Sequence, residues 1–114
     1  MREMFLSLVA ATLLACSSAH SMPPSDGRPE VAVRVEADGY HPAEVTAAAG
    51  QPVRLVVTRT SDEGCGQQIV FPDLGIRRDL PLGTPVAIDL TMPATGRVAF
   101  TCGMSMYQGA IVAR

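Results

Sequence analysis

The feature that most constrains the fold is a series of short segments in which apolar and polar residues alternate. The clearest runs over residues 53–60, where Val53, Leu55 and Val57 fall on one face. Successive side chains of a β-strand point to opposite faces, so this period of two is typical of a half-buried strand. Alternation or a short apolar run marks seven segments: 30–36, 44–48, 53–60, 68–71, 85–90, 97–101 and 110–113.

Turns separate these segments. The 114-residue chain contains nine Pro and ten Gly, and most of them fall between the apolar runs. Pro and Gly interrupt regular structure for steric reasons. Residues 43–49 include helix formers, but Val45, Thr46 and the flanking Pro and Gly oppose a helix there. The pattern therefore predicts one all-β domain at 30–114, a β-sandwich of about seven short strands.

The N-terminal residues read as a targeting segment. Arg2 precedes an apolar run at 4–15 that is too short to span a bilayer as a permanent helix. The run ends in Leu-Leu-Ala before Cys16, which resembles the bacterial lipobox. That resemblance implies a signal peptide at 1–15 and a lipid on Cys16, the mature N-terminus. Ordinary cleavage near 19–21, which would discard Cys16, is the alternative.

Residues 16–29 are rich in Ser and Pro and predict a flexible tether between a lipid anchor and the domain. The expected location is therefore extracytoplasmic, on the periplasmic or cell-surface side of a membrane. Ser17 is not the Asp that retains some lipoproteins on the inner membrane, which implies the outer membrane if the cell is Gram-negative. One acyl chain with headgroup contacts can hold a protein at such a surface.

Charge and histidine content argue against two classes of function. The formal net charge is −2, every basic side chain is Arg, and no basic run occurs, so we expect no nucleic-acid partner. His20 lies in the predicted tether and His41 in a predicted turn, and no Ser/His/Asp set is indicated. We therefore expect that the protein is not an enzyme.

Sulfur is concentrated near the C-terminus. Cys102, Met104 and Met106 place sulfur in three of five consecutive residues, just after a predicted strand. If this segment is extended, the three side chains point to the same side. Cys65 lies far upstream in a polar loop, between two glycines. We predict that these four sulfurs form one metal site, with Tyr107 and Phe71 as candidates for shielding it from water.

The donor set indicates which metal such a site would bind. Two thiolates and two thioethers are soft ligands, which favour Cu(I) over Mg²⁺ or Ca²⁺. Zinc sites usually recruit His or further Cys, and iron–sulfur clusters usually need four Cys. Paired thiolates also favour Cu(I) over Cu(II), because Cu(II) tends to oxidise them to a disulfide. The expected ligand is therefore copper as Cu(I).

A disulfide between the same two cysteines is the main rival interpretation. With Cys16 assigned to a lipid, Cys65 and Cys102 remain as a pair, and outside the cytoplasm such a pair is by default oxidised. The bond would close a loop of 37 residues and stabilise the fold by about 4 kcal/mol. Met104 and Met106 have no role in a plain disulfide, although methionine is also a common gap-filler of apolar cores.

Short motifs spaced along 30–114 carry a family resemblance. They are GYHP at 39–42, AGQPV at 49–53, Cys65 followed by VFPDLGI at 70–76, LPLG at 80–83, Gly96, FTCGMSM at 100–106, and Gly109. The set resembles the small bacterial cupredoxin-like domains, and Cys-Gly-Met-x-Met is similar to segments of copper-handling proteins, including domains associated with copper-exporting P-type ATPases. The resemblance implies a Greek-key β-sandwich with copper at one end.

The sequence departs from a blue-copper cupredoxin in its histidines. Cys65 stands where that family has its first His, and Ser105 stands about where a His would follow the Cys. A His₂Cys site, and with it electron transfer, is therefore disfavoured.

Three hypotheses follow. The first is a protein that holds Cu(I) for copper buffering, delivery or tolerance, with a copper-exporting ATPase or another copper-handling protein as partner. The others are a copper electron carrier and a metal-free interaction module stapled by Cys65–Cys102.

Overall fold

A computed structural model describes residues 27–114, and this part of the chain contains nine strands and no helix. In chain order the strands are β1 Glu30–Glu36, β2 Gly39–His41, β3 Glu44–Ala47, β4 Pro52–Arg59, β5 Gln68–Phe71, β6 Ile76–Asp79, β7 Val86–Thr91, β8 Arg97–Cys102 and β9 Gln108–Ala113. The all-β prediction is confirmed.

The strands form two sheets. One has four strands in the order β2-β1-β4-β7, and the other has five in the order β3-β9-β8-β5-β6. Each sheet is mixed, because β1 runs parallel to β4 and β3 runs parallel to β9, whereas the other neighbours are antiparallel. The β8–β9 pairing matters most for function, since the segment joining these strands carries the sulfur-rich motif.

Nine strands replace the predicted seven, because β2 and β6 lack the apolar alternation on which the prediction relied. β2 has only three residues, and main-chain pairing with β1 across a tight hairpin defines it, with Glu36 opposite Gly39. β6 is the edge strand of its sheet, and three of its four residues are exposed. An edge strand has little apolar surface to bury, so its sequence resembles a loop.

The core lies between the inward faces of both sheets. Val53, Leu55 and Val57 of β4 are almost fully buried, as the alternation predicts. Phe71 and Phe100 pack together in the opposite sheet with ring centroids 5.6 Å apart. This apolar packing holds the ends of β5 and β8, and therefore the loops that follow or precede them, in fixed positions.

The predictions for the N-terminal residues stay predictions. The signal peptide at 1–15, the lipid on Cys16 and nearly all of the tether at 16–29 lie outside the described residues. Between residues 27 and 114 there is no helix long and apolar enough to cross a membrane.

Candidate metal centre

Cys65 and Cys102 meet at one end of the sandwich. Cys65 lies in the loop between β4 and β5, and Cys102 is the last residue of β8, opposite Ile69 of β5. Their Cα atoms are 6.1 Å apart, and the two side chains are joined as a disulfide. The pairing of β5 with β8 thus brings together two residues that are 37 positions apart in sequence.

The chain turns sharply after Cys102. The Ser105 N–H donates to the Cys102 carbonyl at 2.9 Å, and Ser105 has a φ of 58°, in the left-handed region. This turn directs the next two amides back onto the cysteine. The N–H groups of Met106 and Tyr107 lie 3.1 and 3.4 Å from the Cys102 Sγ. Amide donors stabilise negative charge on an acceptor, which suits a sulfur that binds a cation as thiolate.

The two methionines of the motif are open to solvent, and Met104 lies beside Cys65. Met104 lines a shallow cavity of about 200 Å³ together with Cys65, Gln67, Gln68 and Gly103. The side chains of Met104 and Met106 are 75% and 69% exposed, so neither fills a gap in the core. Met92, by contrast, is 2% exposed and belongs to the core.

The sequence suggested Tyr107 only as a shield, and the structure shows that it also makes hydrogen bonds around the cysteine pair. The ring is buried next to the disulfide, and its hydroxyl donates to the Ala37 carbonyl at 2.5 Å. The same hydroxyl accepts a hydrogen bond from the Cys65 N–H at 3.2 Å. No periodicity or motif in the sequence indicates these contacts, since they join residues 70 and 42 positions apart. Phe71, the other candidate shield, belongs to the core.

Glu36, Asp38 and His41 form a second group of potential metal donors, with their ligand atoms all within 4.8 Å of one another. Each of these groups already has a polar partner. His41 Nε2 lies 2.7 Å from the Asp38 carboxylate, and this hydrogen bond lowers the pKa of Asp38 below its ordinary value. Glu36 pairs with Arg34 at 3.1 Å. The cluster is therefore explained as a solvated set of side chains on the β1–β2 hairpin, joined by one hydrogen bond and one ion pair.

The sequence profile of the cupredoxin-like domain family matches residues 5–113. The chain belongs to the cupredoxin-like domain family. The predicted fold and family are therefore confirmed, and the two mixed sheets are those of a cupredoxin-like sandwich. A comparison with curated proteins gave no match.

Solved structures similar to this cupredoxin-like domain include two copper proteins with substantial identity. One is the metal-binding domain of the Cu(I)-exporting P-type ATPase CopA of Streptococcus pneumoniae, solved with Cu(I), at 27% identity and a TM-score of 0.72, covering 80% of this chain and 90% of that one. Another is a copper-binding protein in its apo form, at 33% identity and a TM-score of 0.68, covering 80% and 92%. Reduced auracyanin from Roseiflexus castenholzii, at 17% identity and a TM-score of 0.56, covers 75% and 96% and supports the fold alone.

The potential metal donors at this end of the cupredoxin-like domain differ from a His₂Cys arrangement. His41 is the one histidine among residues 27–114, and its Nε2 atom is engaged by Asp38. Ser105 lies in the tight turn after Cys102, so no imidazole follows the cysteine. The described residues offer sulfur at this end of the sandwich: two cysteines held together, Met104 beside Cys65, and Met106 two residues farther along the chain.

Proposed function

We propose that this cupredoxin-like domain binds Cu(I) through Cys65, Cys102, Met104 and Met106, and holds it for buffering, delivery or copper tolerance. The observation that carries the proposal is the convergence of the two cysteines beside Met104 at one end of the sandwich. Two soft thiolates with thioethers at hand match a monovalent soft cation. The 27% and 33% identical relatives, one solved with Cu(I) and the other a copper-binding protein, support the same metal.

Copper is cargo in this proposal, and the cysteine pair must be reduced to take it. Reduction of the Cys65–Cys102 disulfide consumes two electrons and two protons, supplied by a dithiol reductant that is itself oxidised to a disulfide. Binding of Cu(I) then releases the thiol protons, since the thiolate is the ligand. Two Cu(II) ions would reverse the reduction, because each takes one electron from the thiolate pair and the disulfide forms again. The site is therefore suited to keeping copper monovalent.

The location and partner belong to the same proposal. A lipid on Cys16 would tether the domain to the extracytoplasmic face of a membrane, and the exposed Met104 and Met106 would face a copper donor or acceptor. A copper-exporting ATPase or another copper-handling protein is the expected partner, because Cu(I) passes between proteins by exchange of ligands. This role is that of a carrier and needs no catalytic group.

The test is a titration of fully reduced protein with Cu(I) in competition with a chromogenic Cu(I) chelator. We expect that the protein withdraws one copper per chain from the chelator, and that Cys102→Ser abolishes this competition. Met104→Leu and Met106→Leu should weaken binding, whereas Met92→Leu, the same exchange at a buried core position, should leave it unchanged. Failure of the reduced wild-type protein to compete for copper would reject the proposal.

A metal-free module stapled by its disulfide is the second candidate, and the bond between Cys65 and Cys102 favours it. Thiol counting on protein isolated from its own compartment separates the two functions. A disulfide that no dithiol reductant of that compartment opens supports the stapled module. A copper electron carrier would instead show a stable Cu(II) form with strong visible absorption.

A further inference from the structure

We propose that Tyr107 is the positioning residue of the candidate Cu(I) site, because it ties the loop of Cys65 to the strand end of Cys102. The inference rests on the proposed function for its copper readout. The contacts of Tyr107 are with the cysteine pair itself, so the inference can also be tested without copper, by the thiol–disulfide equilibrium of that pair. Tyr107 follows the Cys-Gly-Met-x-Met motif directly and contributes no ligand atom of its own.

The side chain of Tyr107 holds the Cys65 loop. Its hydroxyl accepts the Cys65 N–H at 3.2 Å and donates to the carbonyl of Ala37, in the β1–β2 hairpin, at 2.5 Å. The oxygen thus bridges two segments that have no strand pairing with each other. Since the Cys65 N–H is buried, it has no access to water as an alternative partner. The phenol therefore fixes the position of the Cys65 backbone.

The main chain of Tyr107 holds Cys102. Its N–H lies 3.4 Å from the Cys102 Sγ, and its carbonyl accepts the Cys102 N–H at 3.3 Å and the Thr101 hydroxyl at 2.8 Å. One residue thereby bonds to both cysteines, to Cys65 through its side chain and to Cys102 through its backbone. A substitution of the Tyr107 side chain therefore removes the bond to Cys65 and leaves the backbone bonds to Cys102 in place.

The surroundings of Tyr107 leave its ring little freedom. The side chain is 8% exposed and packs edge-on against Tyr40, with centroids 6.0 Å apart. At Gly64, next to Cys65, a Cβ would collide with the Tyr107 hydroxyl and lie 2.9 Å from the Ala37 carbonyl. The Cys65 loop therefore approaches the phenol so closely that only glycine fits at position 64. This close approach allows the Tyr107 hydroxyl to hydrogen-bond to the backbone of the loop, which simple filling of space by the ring would not require.

Loss of the hydroxyl should loosen one cysteine without moving the other. In Tyr107→Phe the Cys65 N–H and the Ala37 carbonyl lose their partner, and the loop at 60–67 gains alternative positions in which Cys65 is farther from Cys102. Both a bound Cu(I) and a disulfide require the two sulfurs to be close, so both become less favourable. We expect Cu(I) affinity to fall about tenfold, equivalent to about 1.4 kcal/mol, the scale of one to two lost hydrogen bonds.

Tyr40→Phe is a matched control. The Tyr40 hydroxyl is buried and has no hydrogen-bond partner among the described residues, and its ring lies in the same aromatic group. The variant removes the same oxygen from a neighbouring tyrosine while breaking no bond to either cysteine. Its Cu(I) affinity and its thiol–disulfide equilibrium should equal those of the wild type.

The experiment measures two quantities on wild type, Tyr107→Phe and Tyr40→Phe, all at a temperature where each is folded. The first is Cu(I) affinity by chelator competition. The second is the equilibrium of the cysteine pair with a glutathione redox buffer, where Tyr107→Phe should shift about tenfold towards the dithiol, or about 30 mV for a two-electron couple. A purely structural role of Tyr107 would lower the unfolding temperature but leave both quantities of the folded protein unchanged.

The outcomes are separable. Equal values for Tyr107→Phe and wild type, or equal losses in both tyrosine variants, would overturn the inference. If wild type binds no Cu(I), the proposed function fails, while the redox equilibrium still decides the role of Tyr107. If Tyr107→Phe does not fold, Gly64→Ala tests the same contact, with Gly96→Ala as its control, because both glycines have positive φ (84° and 91°) but nothing lies within 4 Å of a Cβ at Gly96. Equal behaviour of these two alanine variants would likewise reject the inference.

Discussion

The Cys65–Cys102 disulfide should stabilise the domain, and Cu(I) bound to the reduced cysteines should restore part of that stability. The disulfide closes a loop of 37 residues, so opening it should lower the free energy of unfolding by about 4 kcal/mol, by restoring chain entropy to the unfolded state. At about 4–8 °C per kcal/mol for a domain of this size, the loss corresponds to about 15–30 °C in unfolding temperature. Cu(I) bound across the reduced pair joins the same two loops. At a free Cu(I) concentration of 100 times Kd it should restore about 2.7 kcal/mol.

The assay is urea unfolding of the oxidised, the reduced and the reduced Cu(I)-loaded protein, with copper activity fixed by a chelator. The expected order of unfolding midpoints is oxidised, then copper-loaded, then reduced. A variant with both Cys65 and Cys102 replaced by Ser serves as the control, and its midpoint should respond to neither reductant nor copper. Identical midpoints for the oxidised and reduced wild type would refute the cross-link argument. A midpoint of the reduced protein that ignores Cu(I) would refute copper binding at this pair.

Three further predictions concern the scaffold around the site. Gly109→Ala should lower the free energy of unfolding by about 2–3 kcal/mol in urea titrations, because a Cβ there collides with the Phe100 ring. Ser105→Gly should raise it by about 0.5–1 kcal/mol in the same assay, since a φ of 58° costs a residue with a side chain more than it costs glycine. Asp89 accepts hydrogen bonds from Arg54, which lower the pKa of its carboxyl group below the ordinary 3.8. The ionised carboxylate therefore stabilises the folded protein at pH values above the pKa of the unfolded state, and this stabilisation is lost as the pH falls through the lower pKa of the folded state. Asp89→Asn should therefore cost less than about 1 kcal/mol at pH 7. In unfolding curves recorded at decreasing pH, the difference from wild type should begin to shrink near the ordinary pKa of 3.8 and vanish only below the lowered pKa of the folded protein.

Strands that bury a face could be predicted from the sequence, whereas strands defined by main-chain pairing alone could not. Leu55 in β4 and Phe100 in β8 face the core because apolar side chains alternate with polar ones, and that pattern is visible in the letters. β6 carries Arg77 and Arg78 on a sheet edge, where exposed side chains leave no apolar signal. The exchange of hydrogen bonds between backbones has no sequence signature of its own, so such strands become visible only once their neighbours are placed.

The same distinction separates the parts of the candidate site. Cys102, Met104 and Met106 could be grouped by sequence, because they lie within five residues of one another. Cys65 could be assigned to them only by elimination of other partners, and the β5–β8 pairing supplies the physical cause. The hydrogen bonds of Tyr107 could not be predicted from the sequence, which suggested this residue only as a shield. Its role depends on where its hydroxyl ends up, and a phenol that bridges two distant loops looks in sequence like any buried aromatic residue.

Burial divides the four sulfurs into two classes, and this division bears on how copper would enter and leave. Cys65 and Cys102 are 9% and 1% exposed, while Met104 and Met106 are 75% and 69% exposed. A partner protein can therefore reach the thioethers before it reaches the thiolates. Neutral thioethers bind Cu(I) less strongly than charged thiolates, so in the proposed site a bond from copper to Met104 or Met106 would be the first that an incoming ligand replaces. Buried thiolates would then set how tightly the metal is held, and exposed thioethers would set how fast it is exchanged.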